Sequence, residues 1–430
     1  MATEETLILT NEFHEALDLL NSDSKDPVFI TGSAGTGKST LLKLFRDSTD
    51  QRTVCLAPTG VAALNIGGQT IHSFFGFPPR LLQHGDFKIW KNKRLIKKLD
   101  TIIIDEISMV RADLLDAIDY FLKEVRKSEE PFGGIKMVFF GDLFQLPPVV
   151  RSTEEGMYFR TEYDSPYFFS SHAIQDAGLK IYELNEVFRQ RDPELIGLLG
   201  RFRNHTFDQD DLDNINECVD PHFVCPEYCV TLAGRNATVD HINRQQLNLL
   251  DGLPSTLTAE IKGKFSPSAY PADNVLMMKP GAQVIFLRND PELRFVNGSL
   301  GKVREIADDY ILVDIKDGGN SNCVEVKKFK WDMLEYELSS DRKTIKSKSV
   351  GEFTQYPLRL AWALTIHKAQ GKTFDEVFID LSRGGAFESG QAYVALSRCK
   401  TKSGIVLKQA LREEDIKIDH MITEFFKYGV

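Results

Sequence analysis

The residues best suited to chemistry form a glycine-rich run that ends in lysine and serine. The run reads Gly32, Ser33, Ala34, Gly35, Thr36, Gly37, Lys38 and Ser39, and Thr40 follows it. Glycines let backbone N–H groups wrap a chain of phosphates, while the lysine reaches the β and γ oxygens and the serine hydroxyl binds Mg²⁺. An apolar strand pattern at 28–31 precedes the run and a helical pattern follows it, as a phosphate-binding loop requires. We therefore predict that residues 32–40 bind ATP with Mg²⁺; the alternative is a strand–helix turn without a ligand.

Two carboxylates follow a second apolar run, at 101–104. Asp105 and Glu106 would lie at the carboxyl end of a buried strand, which is the sheet edge where phosphates bind. We expect Asp105 to hold Mg²⁺ through water and Glu106 to polarise the attacking water as general base. A third run, at 137–141, leads to Gln145, which either senses the γ-phosphate or caps loop backbone groups.

Two arginines far along the chain suggest a motor. Arg189 lies in 187–190 and Arg398 ends the segment 391–398. An arginine that reaches the γ-phosphate from another domain neutralises transition-state charge and raises the rate by about 10³–10⁵. It also makes domain closure depend on the nucleotide. The competing interpretation is a pair of ordinary surface ion pairs, and the phosphate loop alone would also fit a kinase or a signalling NTPase.

Buried strands must position these side chains. Continuous apolar, β-branched runs occur at 28–31, 53–57, 101–105, 137–141, 228–232, 377–381 and 404–407. Runs without alternation indicate strands buried on both faces, and therefore mainly parallel sheets. Helical patterns separate them; in 111–126 the apolar residues fall on one face. The sequence predicts an α/β fold with wound sheets.

Residues 281–359 have a different pattern. Strands are predicted at 284–287, 303–306, 310–315 and 323–326, with turn signals such as Asn297-Gly298 between them. This pattern indicates a small antiparallel barrel inserted into an α/β domain. A second insert, at 80–98, is basic. It carries Lys88, Lys91, Lys93, Arg94, Lys97, Lys98 and Trp90.

Composition excludes several classes of protein. The 430 residues carry a net charge of −10, which argues against a broad clamp on phosphates but permits a narrow basic channel. The chain has no apolar run of about 18 residues, so we expect no membrane span. Residues 1–10 contain Glu4 and Glu5 and resemble no secretory signal. Six cysteines are too few for a disulfide scaffold. We expect a cytoplasmic protein.

The order of the motifs resembles the PIF family of DNA helicases, the RecD-like group within superfamily one, group B. The matching segments are 32–39, 57–63, 70–74, 105–109, 141–142 with 145–148, 188–190, 365–371 and 392–398, and residues 114–134 resemble the family's own signature. Together they span residues 28 to about 400, which is nearly the whole chain. On this resemblance the chain is identified as a member of the family, and the short terminal extensions favour a bacterial member associated with the nucleoid.

The resemblance implies a fold and a domain plan. Two RecA-like P-loop domains with mainly parallel sheets would enclose ATP, joined by an inserted SH3-like antiparallel barrel and a small accessory insert. The expected boundaries are 1–180 for domain 1A with insert 1B at about 77–98, 181–255 and 357–430 for domain 2A, and 256–356 for domain 2B. It also places Gly371 at the nucleotide.

The resemblance further implies an ATP-dependent helicase that moves 5′ to 3′ on single-stranded DNA. It would unwind duplex, forked or structured DNA, G-quadruplexes and RNA–DNA hybrids included, in genome maintenance, and rest as a monomer. The strand would cross both domains opposite the ATP. The residues expected to contact DNA are Pro58, Thr59, His72, Arg235, Asn236, Thr365, His367 and Lys368. Hydroxyls, amides and rings of this kind bind phosphates and stack on bases without reading sequence.

The chain departs from the family at the adenine site. Members usually carry a glutamine near the N-terminus, whereas residues 9–14 contain none. Asn11 or His14 can supply a donor and an acceptor instead. Two alternative motors remain open at this point: an RNA helicase, which ATPase stimulation by RNA would reveal, and a translocase that does not unwind.

Overall fold

The computed structural model describes residues 10–78, 80–82, 92–150, 152–190, 192–292, 294–317, 320–338, 344–382, 386 and 388–429. Its strands are β1 (Val28–Gly32), β2 (Thr53–Ala57), β3 (Gln69–Thr70), β4 (Thr101–Ile104), β5 (Lys136–Phe140), β6 (Lys180–Leu184), β7 (Val230–Ala233), β8 (Ser255–Thr258), β9 (Glu260–Gly263), β10 (Val275–Met278), β11 (Gln283–Phe286), β12 (Leu300–Ile306), β13 (Tyr310–Asp317), β14 (Asn320–Lys327), β15 (Phe329–Leu338), β16 (Ile345–Gln355), β17 (Leu358–Leu360), β18 (Ala363–Thr365), β19 (Val377–Asp380) and β20 (Ile405–Leu407). Its helices are α1 (Asn11–Asn21), α2 (Lys38–Ser48), α3 (Gly60–Asn65), α4 (Ile71–Phe75), α5 (Lys93–Ile96), α6 (Ala112–Arg126), α7 (Thr153–Glu162), α8 (His172–Ala177), α9 (Pro193–Asn204), α10 (Gln209–Asn216), α11 (Asn236–Leu249), α12 (Ile366–Ala369), α13 (Gln391–Leu396) and α14 (His420–Tyr428).

The first sheet is parallel throughout and has the order β3-β2-β4-β5-β1-β6. Successive residues of its central strands enter opposite cores. Phe29 and Phe139 join one buried cluster, while Ile30 and Phe140 join another on the other face. Burial on both faces explains why these strands read as unbroken apolar runs. We call this sheet and helices α1–α8 the first α/β unit.

The second sheet is also parallel, with the order β18-β7-β19-β20. We call this sheet with α9–α14 the second α/β unit. One apolar cluster runs from the first unit into the second. At the junction the ring of Phe425 in α14 stacks on Phe169 with centroids 4.3 Å apart. The prediction of an α/β fold with parallel sheets is confirmed.

The chain between α11 and β18 forms antiparallel sheets. Five strands pair in the order β14-β13-β12-β11-β17 around a buried core of their own, and three pair in the order β15-β16-β9. The sequence predicts β11–β14 and misses β15 and β16, because the mixed polar and apolar residues of this largely half-buried hairpin give no continuous apolar run. The strand β6 is missed for the same reason, since most of its residues are exposed at a sheet edge.

The long hairpin β15–β16 contacts the first unit. The Tyr336 hydroxyl accepts a hydrogen bond from the Cys55 backbone N–H at 3.1 Å and donates to the Cys55 carbonyl at 3.3 Å. Its ring also lies edge-on to Phe74. The hydroxyl thereby satisfies backbone groups on β2 beside the two-residue strand β3. The hairpin is anchored to the unit that carries the phosphate loop.

The basic insert is described in part. Its residues around α5, namely Lys93, Arg94, Lys97 and Lys98, are exposed, whereas Lys88, Trp90 and Lys91 lie outside the described residues. All six cysteines are free. In the described ranges no cluster of three or more histidine, cysteine or acidic side chains is suited to a metal ion. None of the helices among those residues is long and apolar enough to cross a membrane.

Candidate nucleotide site

The predicted phosphate loop connects β1 to the N-terminus of α2. Lys38 is the first residue of α2, and its ammonium group donates hydrogen bonds to the carbonyls of Gly32 at 2.8 Å and Ser33 at 2.9 Å. Burial lowers the pKa of Lys38, against the attraction of the carboxylates of Asp142 and Glu106. The lysine is thus held among loop carbonyls that a phosphate would replace. Ser39 lies exposed in the first turn of α2, where its hydroxyl is accessible.

Two glycines of the loop have no room for a side chain. Gly35 has a φ of 94° and Gly37 a φ of 82°, both left-handed. A Cβ on Gly35 would lie 2.5 Å from the Cβ of Arg189, and one on Gly37 would lie 2.8 Å from the ring of Phe13. The glycines therefore allow the loop to bend and let the chain around Arg189 approach it closely.

The two predicted carboxylates follow β4 directly. Glu106 adopts a left-handed conformation with a φ of 52°, an uncommon backbone state for a residue with a side chain, and such states cluster at functional sites. Burial raises the pKa of Asp105 to about 6. Burial, with the neighbouring Asp105, raises the pKa of Glu106 to about 7. Two carboxyls held at these pKa values suit a cation ligand and a general base.

Gln145 is joined to Glu106 by a residue from the second unit. The Gln370 amide donates to Glu106 Oε2 at 3.2 Å and to Gln145 Oε1 at 2.9 Å, while Gln145 itself donates to Asp142 at 3.1 Å. Gln370 follows α12 in the second unit. It was not among the predicted site residues, although it lies in the motif 365–371. One amide therefore bridges the predicted base and the predicted γ-phosphate sensor.

A second bridge passes through Asp142, which the sequence analysis did not assign to the site. Its carboxylate accepts from Arg203 Nε of α9 at 3.4 Å and lies 3.5 Å from the Tyr393 hydroxyl of α13. Arg203 also stacks over the ring of Phe144 at 4.5 Å and pairs with Glu183 at 2.9 Å. Asp142 and Tyr393 lie inside motifs and were available to sequence reasoning. Arg203 lies on an otherwise amphipathic helix and gives no such signal.

The two predicted arginine fingers lie at this interface. Arg398 is 1% exposed, and its guanidinium donates to the carbonyl of Val394 at 2.8 Å and the hydroxyl of Ser397 at 2.7 Å. Burial, and secondarily the charge of Arg189, lowers the pKa of Arg398 to about 9. Arg189 donates to the carbonyl of Gly371 at 3.4 Å. Both arginines thus donate to groups of the second unit.

The N-terminal helix borders the loop. Phe13 packs edge-on against Phe188, with ring centroids 6.2 Å apart, and touches the loop at Gly37. Asn11 and His14, the predicted substitutes for an adenine-reading glutamine, are both exposed on α1. Leu9 lies outside the described residues. The aromatic pair Phe13 and Phe188 therefore lies beside the start of α2, and Asn11 and His14 lie on the same helix as Phe13.

The predicted DNA contacts divide between the two units. Pro58 and Thr59 follow β2 and His72 lies in α4, while the other five follow β7 or lie at the end of β18 and in α12. The hydroxyls of Thr59 and Thr365 each accept a backbone N–H at 3.2 Å and cap α3 and α12. In the second unit, Arg235, Asn236, His367 and Lys368 are exposed, whereas Thr365 is only 3% exposed.

The antiparallel region approaches the first-unit candidates. A Cβ on Gly60, next to Thr59, would collide with Ala269 of the antiparallel region. His367 lies 3.5 Å from the carboxylate of Glu388. In this arrangement the start of α3 is therefore covered, while α12 in the second unit stays accessible.

Two family models match the chain. The PIF1-like helicase model matches residues 9–196, and the UvrD-like helicase C-terminal domain matches residues 360–406. The first match contains the phosphate loop, Asp105, Glu106 and Gln145, and the second contains the motifs at 365–371 and 391–398. Both halves of the interface described above are therefore recognised as helicase sequence.

Curated relatives extend over the whole chain. The ATP-dependent DNA helicase Pif1 of Bdellovibrio bacteriovorus is 32% identical over 97% of this chain and 92% of that protein. The ATP-dependent DNA helicase Pif1 of Campylobacter jejuni is 30% identical over 94% of each. The similarity is therefore not confined to the phosphate loop, which unrelated NTPases share.

Solved structures of Pif1 helicases resemble this chain over nearly its whole length. Bacteroides Pif1 in complex with ADP-AlF4 is 38% identical, with a TM-score of 0.90 over 98% of this chain and 97% of that one. The same Bacteroides helicase bound to ssDNA gives a TM-score of 0.70 at 37% identity, so the present arrangement of units matches the former. The family models, the curated relatives and the solved structures together show that this chain belongs to the PIF1-like helicase family and is an ATP-hydrolysing DNA helicase.

Proposed function

We propose that the protein moves 5′ to 3′ on single-stranded DNA and unwinds forked or structured DNA, including G-quadruplexes and RNA–DNA hybrids, in DNA repair and recombination. The observation that carries the proposal is the double bridge between the units. Gln370 reaches Glu106, and Arg203 with Tyr393 reaches Asp142, so the second unit contacts the groups that would respond to hydrolysis. Relative motion of two units around one nucleotide is what stepping along a strand requires.

In the proposed reaction each residue has one role. Lys38 moves from the loop carbonyls to the β and γ phosphates, and the loop N–H groups of residues 32–40 bind the phosphate oxygens. Glu106 accepts a proton from the attacking water. Its pKa is raised to about 7, and a general base is most effective when its pKa lies near the working pH. Gln145 senses the γ-phosphate. Gly371, whose carbonyl accepts a hydrogen bond from Arg189, would lie beside the nucleotide.

Ser39 and Asp105 fit the needs of Mg²⁺. The ion prefers oxygen ligands and keeps several waters, and these residues offer an accessible hydroxyl and a carboxylate. Burial raises the pKa of Asp105, and a nearby cation would favour its ionised form. Bound Mg²⁺ would neutralise charge on the transferring phosphate. Ser39 would hold the ion with its hydroxyl, and Asp105 would hold it through water.

Arg189 and Arg398 act as the fingers that detect the γ-phosphate. Both guanidinium groups are held by second-unit carbonyls and hydroxyls, so small rotations of that unit would carry them toward or away from the loop. Closure with ATP and opening after hydrolysis would alternate the grips on DNA. The grips are Pro58, Thr59 and His72 in the first unit, and in the second unit Arg235, Asn236, Thr365, His367 and Lys368.

The domain plan follows the sheets. We propose domain 1A with a small 1B insert at about 77–98, domain 2A from the second α/β unit, and domain 2B at 256–356 with an SH3-like barrel that uses strands β11–β14 of the five-stranded sheet. The boundary expected at residue 180 moves to Leu184, because β6 pairs with β1 in the first sheet. We further propose RecA-like topology for both α/β units and a resting monomer.

The test is an unwinding assay on matched duplexes. One duplex carries a 5′ single-stranded tail and the other a 3′ tail of the same sequence, each with ATP and Mg²⁺ present. We expect unwinding of the 5′-tailed duplex only, with Lys38→Ala as the inactive control. Unwinding from the 3′ tail would overturn the polarity, ATPase without unwinding of either would leave a translocase, and stronger stimulation by RNA than by DNA would indicate an RNA helicase.

A further inference from the structure

Tyr393 is a buried tyrosine that reaches from the second unit to the phosphate loop. It lies on α13, five residues before Arg398, and is 5% exposed. Its hydroxyl accepts a hydrogen bond from the backbone N–H of Ala34 at 3.0 Å. Burial raises the pKa of the phenol, so the group remains a neutral hydroxyl that can accept one hydrogen bond and donate another. Asp142 Oδ2 lies 3.5 Å away as the acceptor.

The N–H that Tyr393 binds belongs to the same peptide group as a carbonyl that Lys38 binds. The Ser33 carbonyl accepts from Lys38 at 2.9 Å and from the Thr36 hydroxyl at 3.0 Å, while the Ala34 N–H of that same peptide donates to Tyr393. A peptide group is planar and rigid, so its two ends turn together. Lys38 and Tyr393 therefore hold opposite ends of one plane.

This arrangement couples the lysine to the second unit. When Lys38 leaves the Ser33 carbonyl for a phosphate, the carbonyl loses its charged donor and keeps only the Thr36 hydroxyl and N–H. That end of the peptide is then held less firmly. Rotation of the peptide then draws the N–H away from Tyr393. Conversely, a Tyr393 hydroxyl in place favours the peptide orientation in which the Ser33 carbonyl faces Lys38. A ligand shifts such an equilibrium by its difference in affinity for the two orientations.

Asp142 links the Tyr393 hydroxyl to further residues of the site. Its carboxylate also accepts from Arg203, from the Gln145 amide at 3.1 Å and from the Phe144 N–H at 3.2 Å. The Tyr393 hydroxyl therefore lies between the phosphate loop on one side and the carboxylate that is linked to Gln145 on the other. Loss of the hydroxyl would separate the two.

We propose that Tyr393 is a positioning residue that communicates the state of Lys38 to the second unit through the Ser33–Ala34 peptide. The inference rests on the proposed role of Lys38 at the phosphates and goes beyond the assigned fingers. Its sharpest consequence is that removing the hydroxyl weakens the loop orientation in which the Ser33 carbonyl faces Lys38 and not the phosphate-binding one. The variant Tyr393→Phe must therefore bind nucleotide more tightly than the natural protein.

The matched control is Tyr356→Phe. Tyr356 is completely buried in the core of the antiparallel region, and its hydroxyl has no hydrogen-bond partner among the residues that the structure describes. Both variants remove one buried hydroxyl from a tyrosine ring without opening a large cavity, so a general effect on packing would appear in both. Melting temperatures of the two variants show whether either loses its fold.

The primary measurement is binding of a fluorescent ATP analogue to the full chain. We expect Kd for Tyr393→Phe to fall about fivefold, since a hydrogen bond of this kind contributes about 1 kcal/mol, and Kd for Tyr356→Phe to stay within twofold. An unchanged or weaker affinity in Tyr393→Phe would overturn the proposal. A merely structural role predicts weaker binding together with a lowered melting temperature.

Hydrogen exchange gives a readout that needs no nucleotide. In the nucleotide-free protein the Ala34 amide should exchange at least about tenfold faster in Tyr393→Phe than in the natural protein, and should be unaltered in Tyr356→Phe. Equal exchange in all three would also refute the inference. Failure of the proposed unwinding activity would leave both measurements readable, so the two ideas can fail independently.

Discussion

Replacing Glu106 by glutamine should abolish hydrolysis and, at the same time, stabilise the nucleotide-free protein above neutral pH. Burial and the adjacent Asp105 raise the pKa of Glu106 from 4.5 to about 7. The folded state therefore favours the protonated carboxyl. The stability that this group contributes is complete below its unfolded pKa and is lost as the pH rises through about 7.

The size of the effect follows from the two pKa values. Raising a pKa from 4.5 to about 7 corresponds to at most about 3 kcal/mol at pH 8. Because Asp105 shares the interaction and the Glu106 side chain keeps partial contact with solvent, we expect about 1–2 kcal/mol. For a cooperative unit of ordinary domain size that is about 2–8 °C in melting temperature. Hydrolysis should fall by about 10²–10⁴ when the base is lost.

The assay is thermal unfolding of Glu106→Gln and the natural protein at pH 5 and pH 8, without nucleotide or metal. The exposed Glu129→Gln is the matched control, with no expected difference at either pH. Most of the stabilisation of Glu106→Gln should disappear at pH 5. A variant that is no more stable at pH 8, or equally stabilised at both pH values, would show that burial of this carboxyl does not penalise its ionised form.

Other substitutions test the remaining parts of the site. Lys38→Ala should stop ATP hydrolysis and keep ssDNA binding within about twofold, measured by turnover and by fluorescence anisotropy; loss of both would place the lysine in the fold rather than at the phosphates. Arg189→Ala and Arg398→Lys should each lower kcat by about 10³ or more, and undiminished turnover in both would exclude the two fingers. Gln370→Ala should lower ssDNA-stimulated kcat about tenfold with KM for ATP nearly unchanged, because it removes the amide that joins Glu106 to Gln145; a rise in KM alone would refute this. His367→Ala should weaken ssDNA binding by about 1–3 kcal/mol if its exposed ring stacks on a base, which a titration at fixed salt measures.

The sequence by itself determined the chemistry of one wall of the site. The glycine spacing of residues 32–39 and the apolar runs that end at Asp105 and before Asp142 depend only on local requirements. A phosphate loop needs glycine at set positions, and a strand buried on both faces needs continuous apolar residues. The same reasoning misses edge strand β6 and the hairpin β15–β16, because residues that are exposed or only half buried need not be continuously apolar.

Only the tertiary structure decided which side chains meet across the interface. Gln370, Tyr393 and Arg203 are 225, 251 and 61 residues from the partners they bind at Gln145 and Asp142. No local pattern specifies such contacts, since a hydrogen bond across two packed units depends on how whole sheets are oriented. The phosphate loop thus follows from residues 28–40, whereas the peptide held between Lys38 and Tyr393 exists because the second unit packs against that loop.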